Sequence, residues 1–235
     1  HDALTKQPGS FDATLAGIQA LQRASLSVHT NTTLNARNLA AARELPALAK
    51  KLGLPRLSMN LIIPSAWLRQ HHPDLLFPYS RIGDEVLAIR ERARRAGITF
   101  LWYSPTPYCL FNPIAHGFGG KGCAACDGLL SIDASGSVIP CSSFFEPQGS
   151  LLSQSFDEIW KSRRAFHIRQ KQLAPTRCRS CETFELCEGA CPLYWNNQGE
   201  TELDAAGCAQ RAATVPVPSP VPVAVGPDCV RPAHD

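Results

Sequence analysis

At 235 residues, with 44% hydrophobic and 18% charged residues, the chain has the composition of an ordinary globular protein, with room for one or two domains and a sizeable core. A net charge of +3 is too small to indicate a nucleic-acid partner. No stretch approaches the ~18 uninterrupted apolar residues of a membrane span, and no secretory signal peptide is legible; the expected location is cytoplasmic. The chain opens on His1-Asp2 rather than Met and runs at once into a helical pattern, which predicts a piece of a longer protein.

Residues 1–105 alternate helix and strand. The spacing of Phe11, Leu15, Ile18 and Leu21 predicts a helix over 11–23, with Ser10 as its N-cap. Leu26 to Thr30 reads as a strand. A helical stretch from Asn35 to Gly53 follows, interrupted by Pro46, so a kink or two short helices are expected. Leu57 to Ile63 is the next strand, ended by Pro64. A helix over 81–96 turns Ile82, Val86, Ile89 and Ala93 inward and stops at Gly97, and Thr99 to Tyr103 is a third strand. Strands alternating with helices argue for an α/β fold, a parallel sheet or partial barrel with helices outside.

Residues 106–212 change character, with short strands and crowded glycine, proline and cysteine. Leu129 to Ile132 and Val138 to Ile139 flank Asp133-Ala134-Ser135-Gly136 and read as a hairpin. Ser155-Phe156-Asp157-Glu158 is a capping box that opens a helix carrying Phe156, Ile159, Trp160 and Phe166 toward the core. The basic cluster Lys161, Arg163, Arg164, Arg169 and Lys171 reads as a solvated helix face. Residues 213–235 form a tail in which six prolines leave only extended or disordered chain.

Nine of the ten cysteines lie between 109 and 208, and seven form an ordered array. Cys126-x9-Gly136-x4-Cys141 is followed, after 36 residues, by Cys178-x2-Cys181-x5-Cys187-x3-Cys191, and 16 residues later by Cys208. Thiolate is a soft ligand, and short spacings let one loop present several sulfurs to one metal centre. The readings open to ten cysteines are a disulfide scaffold, zinc knuckles and iron–sulfur clusters. A disulfide scaffold suits shorter chains without a real core. Zinc knuckles also use Cys-x2-Cys pairs. The array plus one upstream cysteine supplies eight ligands, enough for two four-thiolate sites. Cys229 lies outside the array and reads as an incidental thiol.

The array, together with Leu130-Ser131-Ile132-Asp133, Pro140-Cys141-Ser142, Gly149-Ser150-Leu151-Leu152 and Phe156-Asp157-Glu158-Ile159-Trp160, resembles the SPASM domain of radical S-adenosylmethionine (radical SAM) enzymes. Residues 1–105 look like the last half of the partial barrel of those enzymes. The resemblance implies three regions: the C-terminal part of that barrel over 1–105, a SPASM cluster domain over 106–212 and the tail over 213–235. It implies two auxiliary 4Fe–4S clusters with interleaved ligands. One takes an upstream cysteine with Cys126, Cys141 and Cys191; the other takes Cys178, Cys181, Cys187 and Cys208. Either Cys109 or Cys123 supplies the upstream sulfur. Cys123 is preferred because Cys123-x2-Cys126 repeats the Cys178-x2-Cys181 spacing and follows Gly120 and Gly122. Expected partners are a peptide or protein substrate and a reducing donor such as a flavodoxin or ferredoxin, with no nucleic acid and no membrane. The Cys-x3-Cys-x2-Cys run that holds the S-adenosylmethionine-cleaving cluster of such enzymes is not in this chain, so that cofactor is expected only in a full-length protein. The alternative is a non-enzymatic electron-transfer or zinc-binding module.

Outside the cysteines the signals are weaker. Asn31 and Asn35 fall where a barrel rim would meet the cofactor, and also suit a turn and a helix cap. His71, His72 and His116 have no carboxylate at a useful spacing and read as surface or loop histidines. Tyr103 and Tyr108 stand near the opening between the two regions, or pack in the core.

Overall fold

The computed structural model describes residues 1–205; Cys208, Cys229 and the tail lie outside the described residues. Two short sheets organise the chain. The first is parallel, in the order β1 (Thr30–Leu34), β2 (Arg56–Leu61), β3 (Thr99–Trp102). Before it come α1 (Asp2–Thr5) and α2 (Ser10–Arg23). Between β1 and β2 lie α3 (Leu39–Ala42) and α4 (Leu45–Lys51). Between β2 and β3 lie α5 (Ala66–His71) and α6 (Tyr79–Ala96). Parallel neighbours need such crossovers, and each is helical here. The architecture is α/β.

The register pairs Thr30 with Leu57 and Leu34 with Leu61, and Leu57 with Phe100. The first strand is therefore 30–34 rather than 26–30. Leu34 explains the shift, because it is fully buried whereas Leu26 is exposed, so pairing four residues later puts an apolar side chain into the core. The stretch after Asn35 divides into two helices, as Pro46 suggests. Pro46 falls in the first turn of α4, where its missing N–H breaks no helical hydrogen bond. In α6 the side chains of Ile82, Val86, Ile89 and Ala93 are all buried, the first three each worth about 1.5–3 kcal/mol. Gly97 ends α6 with φ 76°, the left-handed conformation that favours glycine there. In α2 the expected apolar face is half-realised: Ile18 is buried, but Phe11 and Leu21 are exposed. Its N-cap is Gly9, and Ser10 is the first helical residue.

The second sheet is antiparallel: β4 (Ser131–Ile132), β5 (Ser137–Ile139) and β6 (Gly149–Ser150). Asp133 closes the hairpin by accepting the amides of Ser135 and Ser137. The capping box at Ser155 is formed, its hydroxyl and the Glu158 carboxylate exchanging bonds with each other's backbone N–H. The helix it opens is short. α7 (Phe156–Trp160) stops, and Ser162 caps a separate α8 (Arg163–Arg169). The break turns Phe156 and Phe166 outward, about half exposed, while Ile159 is buried. A 3-10 turn (Thr176–Ser180), α9 (Phe184–Cys187), α10 (Pro192–Gln198) and α11 (Thr201–Ala205) complete the described chain. No helix among the described residues is long and apolar enough to cross a membrane.

One apolar core joins the two regions. Cys178, Ala190, Cys191, Tyr194, Trp195 and Leu203 pack in the same buried cluster as Leu34, Met59, Ile82 and Trp102. The Cys178–Cys191 segment is thus anchored on the parallel sheet, while Cys126 packs in a second cluster with Ala125, Phe144, Ala165 and Ile168.

Candidate metal centre

The described cysteines of the array are free thiols, and so is Cys123: Cys123, Cys126, Cys141, Cys178, Cys181, Cys187 and Cys191. They fall into two groups by their mutual influence. Negative charge at Cys141 opposes ionisation of Cys123, charge at Cys123 and Cys141 opposes it at Cys126, and charge at Cys123 and Cys141 opposes it at Cys191. Separately, Cys181 and Cys187 act on Cys178, and Cys181 acts on Cys187. The grouping crosses the sequence order, since Cys191 joins the residues around 123–141 and Cys187, four positions earlier, does not. Cys109 is outside both groups and is disulfide-bonded. Among the described residues no three His, Cys, Asp or Glu side chains converge tightly enough to hold a single metal ion.

Local backbone geometry presents these sulfurs. After Cys123 the chain folds into a tight turn in which the Ala124 carbonyl accepts the amides of Asp127, Gly128 and Leu129. Cys126 sits at φ 54° inside it. Cys141 lies at the end of the hairpin, where its carbonyl accepts the Phe144 amide at 3.0 Å. Between Cys187 and Cys191 the chain turns sharply, with Glu188, Gly189 and Ala190 all at positive φ, which aims neighbouring cysteines at different groups.

Backbone N–H groups point at the sulfurs. The Tyr108 amide donates to Cys187 Sγ at 3.3 Å, and the amides of Gly189 and Ala190 also favour its ionised form. The Leu193 and Tyr194 amides do the same for Cys191, and the Ala125 amide for Cys123. Burial dominates nonetheless. It pushes the Cys191 thiol up to about 12 and the Cys178 thiol up to about 11, and raises Cys123, Cys126 and Cys187 as well. Buried or half-buried sulfurs with N–H donors directed at them are a fitting environment for a thiolate-ligated iron–sulfur cluster.

Two cations of the predicted solvated face are turned inward. Lys161 and Arg164 do sit at the surface, paired with Asp157 and Glu146. Arg169, however, donates to the carbonyl of Cys126 at 2.8 Å and of Trp160 at 2.9 Å, and its guanidinium lies 4.5 Å from the centre of the Trp160 ring. Lys171 donates to the Cys123 carbonyl and pairs with Asp127 at 3.3 Å and Glu188 at 3.2 Å. Charge spacing alone does not separate these two from their neighbours, because the Cys123–Asp127 turn they reach lies more than forty positions upstream.

A second cluster of side chains holds the Cys191 loop. Tyr79 and Tyr194 pack ring on ring at 3.8 Å, with Trp195 at 5.1 Å from Tyr194. Trp195 Nε1 donates to the Gly189 carbonyl at 2.6 Å. Leu61, Ile63, Ser104, Tyr79, Cys191 and Tyr194 line a small pocket at the C-terminal end of β2. Sequence reasoning misses Tyr194 and Trp195, whose position three and four residues after Cys191 is the only local sign of this packing.

Of the remaining candidates, Tyr108 reaches Cys187 through its backbone amide, and the others are held by different contacts. Asn35 is buried at the end of β1, where its side-chain oxygen accepts the Arg37 amide and its own amide donates to Asn38. Asn31 accepts the Ser58 hydroxyl across the sheet. His71 stacks on Trp67, and His116 on Phe111. Tyr103 is half exposed with Lys121 over its ring, while Tyr108 is buried.

A parallel α/β sheet beside seven free, wholly or partly buried cysteines defines a cysteine-rich α/β protein with a candidate thiolate-ligated centre. Residues 123–182 match the SPASM family, an iron-sulfur cluster-binding domain. The chain is 27% identical over 214 residues to the AdoMet-dependent heme synthase of Methanosarcina barkeri, covering 80% of this chain and 58% of that protein. It is 23% identical over 244 residues to the AdoMet-dependent heme synthase of Nitratidesulfovibrio vulgaris (90% and 61%), and 23% over 216 residues to that of Oleidesulfovibrio alaskensis (80% and 52%). The chain is thus similar to radical SAM/SPASM proteins, with the SPASM match lying in residues 123–182. It spans between about half and three fifths of the length of these curated relatives. All three are named as heme synthases, so the peptide chemistry expected from the resemblance gains no support.

Proposed function

We propose that this chain is the auxiliary-cluster portion of a radical SAM enzyme and carries two 4Fe–4S clusters. Cys123, Cys126, Cys141 and Cys191 hold the first; Cys178, Cys181, Cys187 and Cys208 hold the second, Cys208 lying outside the described residues. The match of residues 123–182 to an iron-sulfur cluster-binding domain, together with the seven free thiols Cys123, Cys126, Cys141, Cys178, Cys181, Cys187 and Cys191, is the observation that carries this reading. Residues 1–105 are then the C-terminal part of a partial barrel on which the cluster region is built.

When bound, such clusters carry single electrons. The protein's part is to bind and insulate. Cys191 is buried beneath the Tyr79–Tyr194–Trp195 packing, which covers one side of the first site. Four thiolates in each set leave no coordination position open, which favours electron transfer over substrate ligation. The names of the relatives favour AdoMet-dependent heme synthesis as the reaction of the whole protein over modification of a peptide. A flavodoxin- or ferredoxin-type donor would supply the electrons.

Anaerobic reconstitution tests the reading. About eight irons and eight acid-labile sulfides per chain are expected for two cubanes. Stoichiometric zinc with no uptake of iron would instead establish a zinc-binding module.

A further inference from the structure

We propose that Lys171, opposed by Glu188 and Asp127, sets the reduction potential of the site formed by Cys123, Cys126, Cys141 and Cys191. The inference rests on the cluster reading above and adds a positioning role that the cysteine array does not contain. Lys171 is little exposed, its side chain retaining 12% of its accessible surface. It follows the C-terminal end of α8 at φ 55°, a left-handed turn that sends the side chain back toward the Cys123–Cys126 turn. There it donates to the Cys123 carbonyl and pairs with Asp127, one residue after Cys126, and with Glu188, three residues before Cys191.

One ammonium thus joins two ligand segments that are more than sixty residues apart. Gly122 leaves room for the clasp: a Cβ there would lie 2.1 Å from the Glu188 carboxylate. Arg169 adds a second cation, fixed against Cys126 O and the Trp160 ring. Taken together, two cations and two carboxylates sit around one pair of thiolates.

One-electron reduction adds negative charge in this poorly hydrated space. A cation nearby favours the reduced form, and an uncompensated carboxylate disfavours it, more strongly here than in water. Removing Lys171 deletes a positive charge and at the same time leaves Asp127 and Glu188 unopposed. The Cys178–Cys181–Cys187 group has a charge pair of its own, Arg177 with Glu200 at 3.8 Å, which variants at Lys171, Glu188 and Asp127 leave in place, so it serves as an internal control.

The test is an EPR-monitored redox titration of the reconstituted chain, with iron measured in each variant. Lys171→Met is expected to lower the midpoint potential of one cluster and leave the other unchanged. Lys171→Arg is expected to stay near wild type, and Glu188→Gln to raise the same cluster's potential. If Lys171→Met loads iron poorly, Glu188→Gln and Asp127→Asn decide the matter, since both keep the lysine. Full iron with unshifted potentials, or shifts of one sign for Lys171→Met and Glu188→Gln, would overturn the electrostatic role while leaving the clusters in place. Iron content insensitive to Cys126→Ala would instead remove the cluster reading, and this inference with it.

Discussion

Glu202 of α11 accepts the backbone amide of Ser80, in the first turn of α6, at 2.7 Å. Tyr194 completes the arrangement: its hydroxyl accepts the Tyr79 amide at 3.0 Å and donates to the other Glu202 oxygen. The N-cap of α6, Pro78, has no side-chain acceptor to offer, so the Tyr79 and Ser80 amides at this helix end are satisfied from the cysteine-bearing region. The carboxylate also lies favourably against the positive end of an 18-residue helix.

Glu202→Ala is therefore expected to cost about 1 kcal/mol, lowering Tm by roughly 2–4 °C for a chain of this size. Glu202→Gln keeps an acceptor for Ser80 and should lose less. Thermal unfolding by circular dichroism checks this; an unchanged Tm in Glu202→Ala would show that the cap contributes nothing.

Gly189 is a second structural pivot. It sits at φ 71°, and a Cβ there would come 2.8 Å from the Cβ of Ala174. Gly189→Ala combines left-handed strain with a backbone-anchored clash, worth about 2 kcal/mol or more. A fall in Tm of roughly 5 °C is expected, with poorer iron retention because Cys187 and Cys191 flank the turn. Wild-type Tm and iron in this variant would contradict the packing described.

Stability without iron should depend on alkaline pH. Burial raises Cys191 from 9.0 to about 12 and Cys178 from 9.0 to about 11, so the folded, iron-free protein holds these protons more tightly than the unfolded chain. That stabilisation is fully present below about pH 9 and is lost as the pH rises toward 11–12. The iron-free protein should melt at a lower temperature at pH 10 than at pH 8, and Cys191→Ala should flatten the difference. An equally steep dependence in Cys191→Ala would place its cause elsewhere.

The 235-residue chain contains no Cys-x3-Cys-x2-Cys run. Incubated with dithionite and S-adenosylmethionine, it is expected to give no 5′-deoxyadenosine above blank. Turnover by this chain would mean that some other set of its cysteines supports the cleavage.

Local chemistry was legible in the sequence; long-range pairing was not. The inward stripe of Ile82, Val86, Ile89 and Ala93, the Asp133–Gly136 hairpin and the Ser155–Glu158 capping box each depend on residues a few positions apart, and each is observed. The start of β1 depended on which residues Leu57 and Leu61 would pair, and the expected strand was four residues early. The helix after Ser155 was read as continuous because Phe156 and Phe166 share a helical face, but Ser162 offers a second cap that interrupts it. The basic residues were read by their charge alone. Arg169 and Lys171 differ from Lys161 only in what the fold brings beside them, the carbonyls of Cys126 and Cys123.

The central claim is that the thiols form two separate cluster sites with crossed ligands. Iron and sulfide content after anaerobic reconstitution of Cys126→Ala, Cys178→Ala and the double variant tests it most directly. Each single variant should retain about four irons, the double variant none, and Cys123→Ala should match Cys126→Ala while Cys109→Ala keeps the full complement. Loss of all iron in either single variant, or loss of about four irons in Cys109→Ala with none lost in Cys123→Ala, would contradict the assignment.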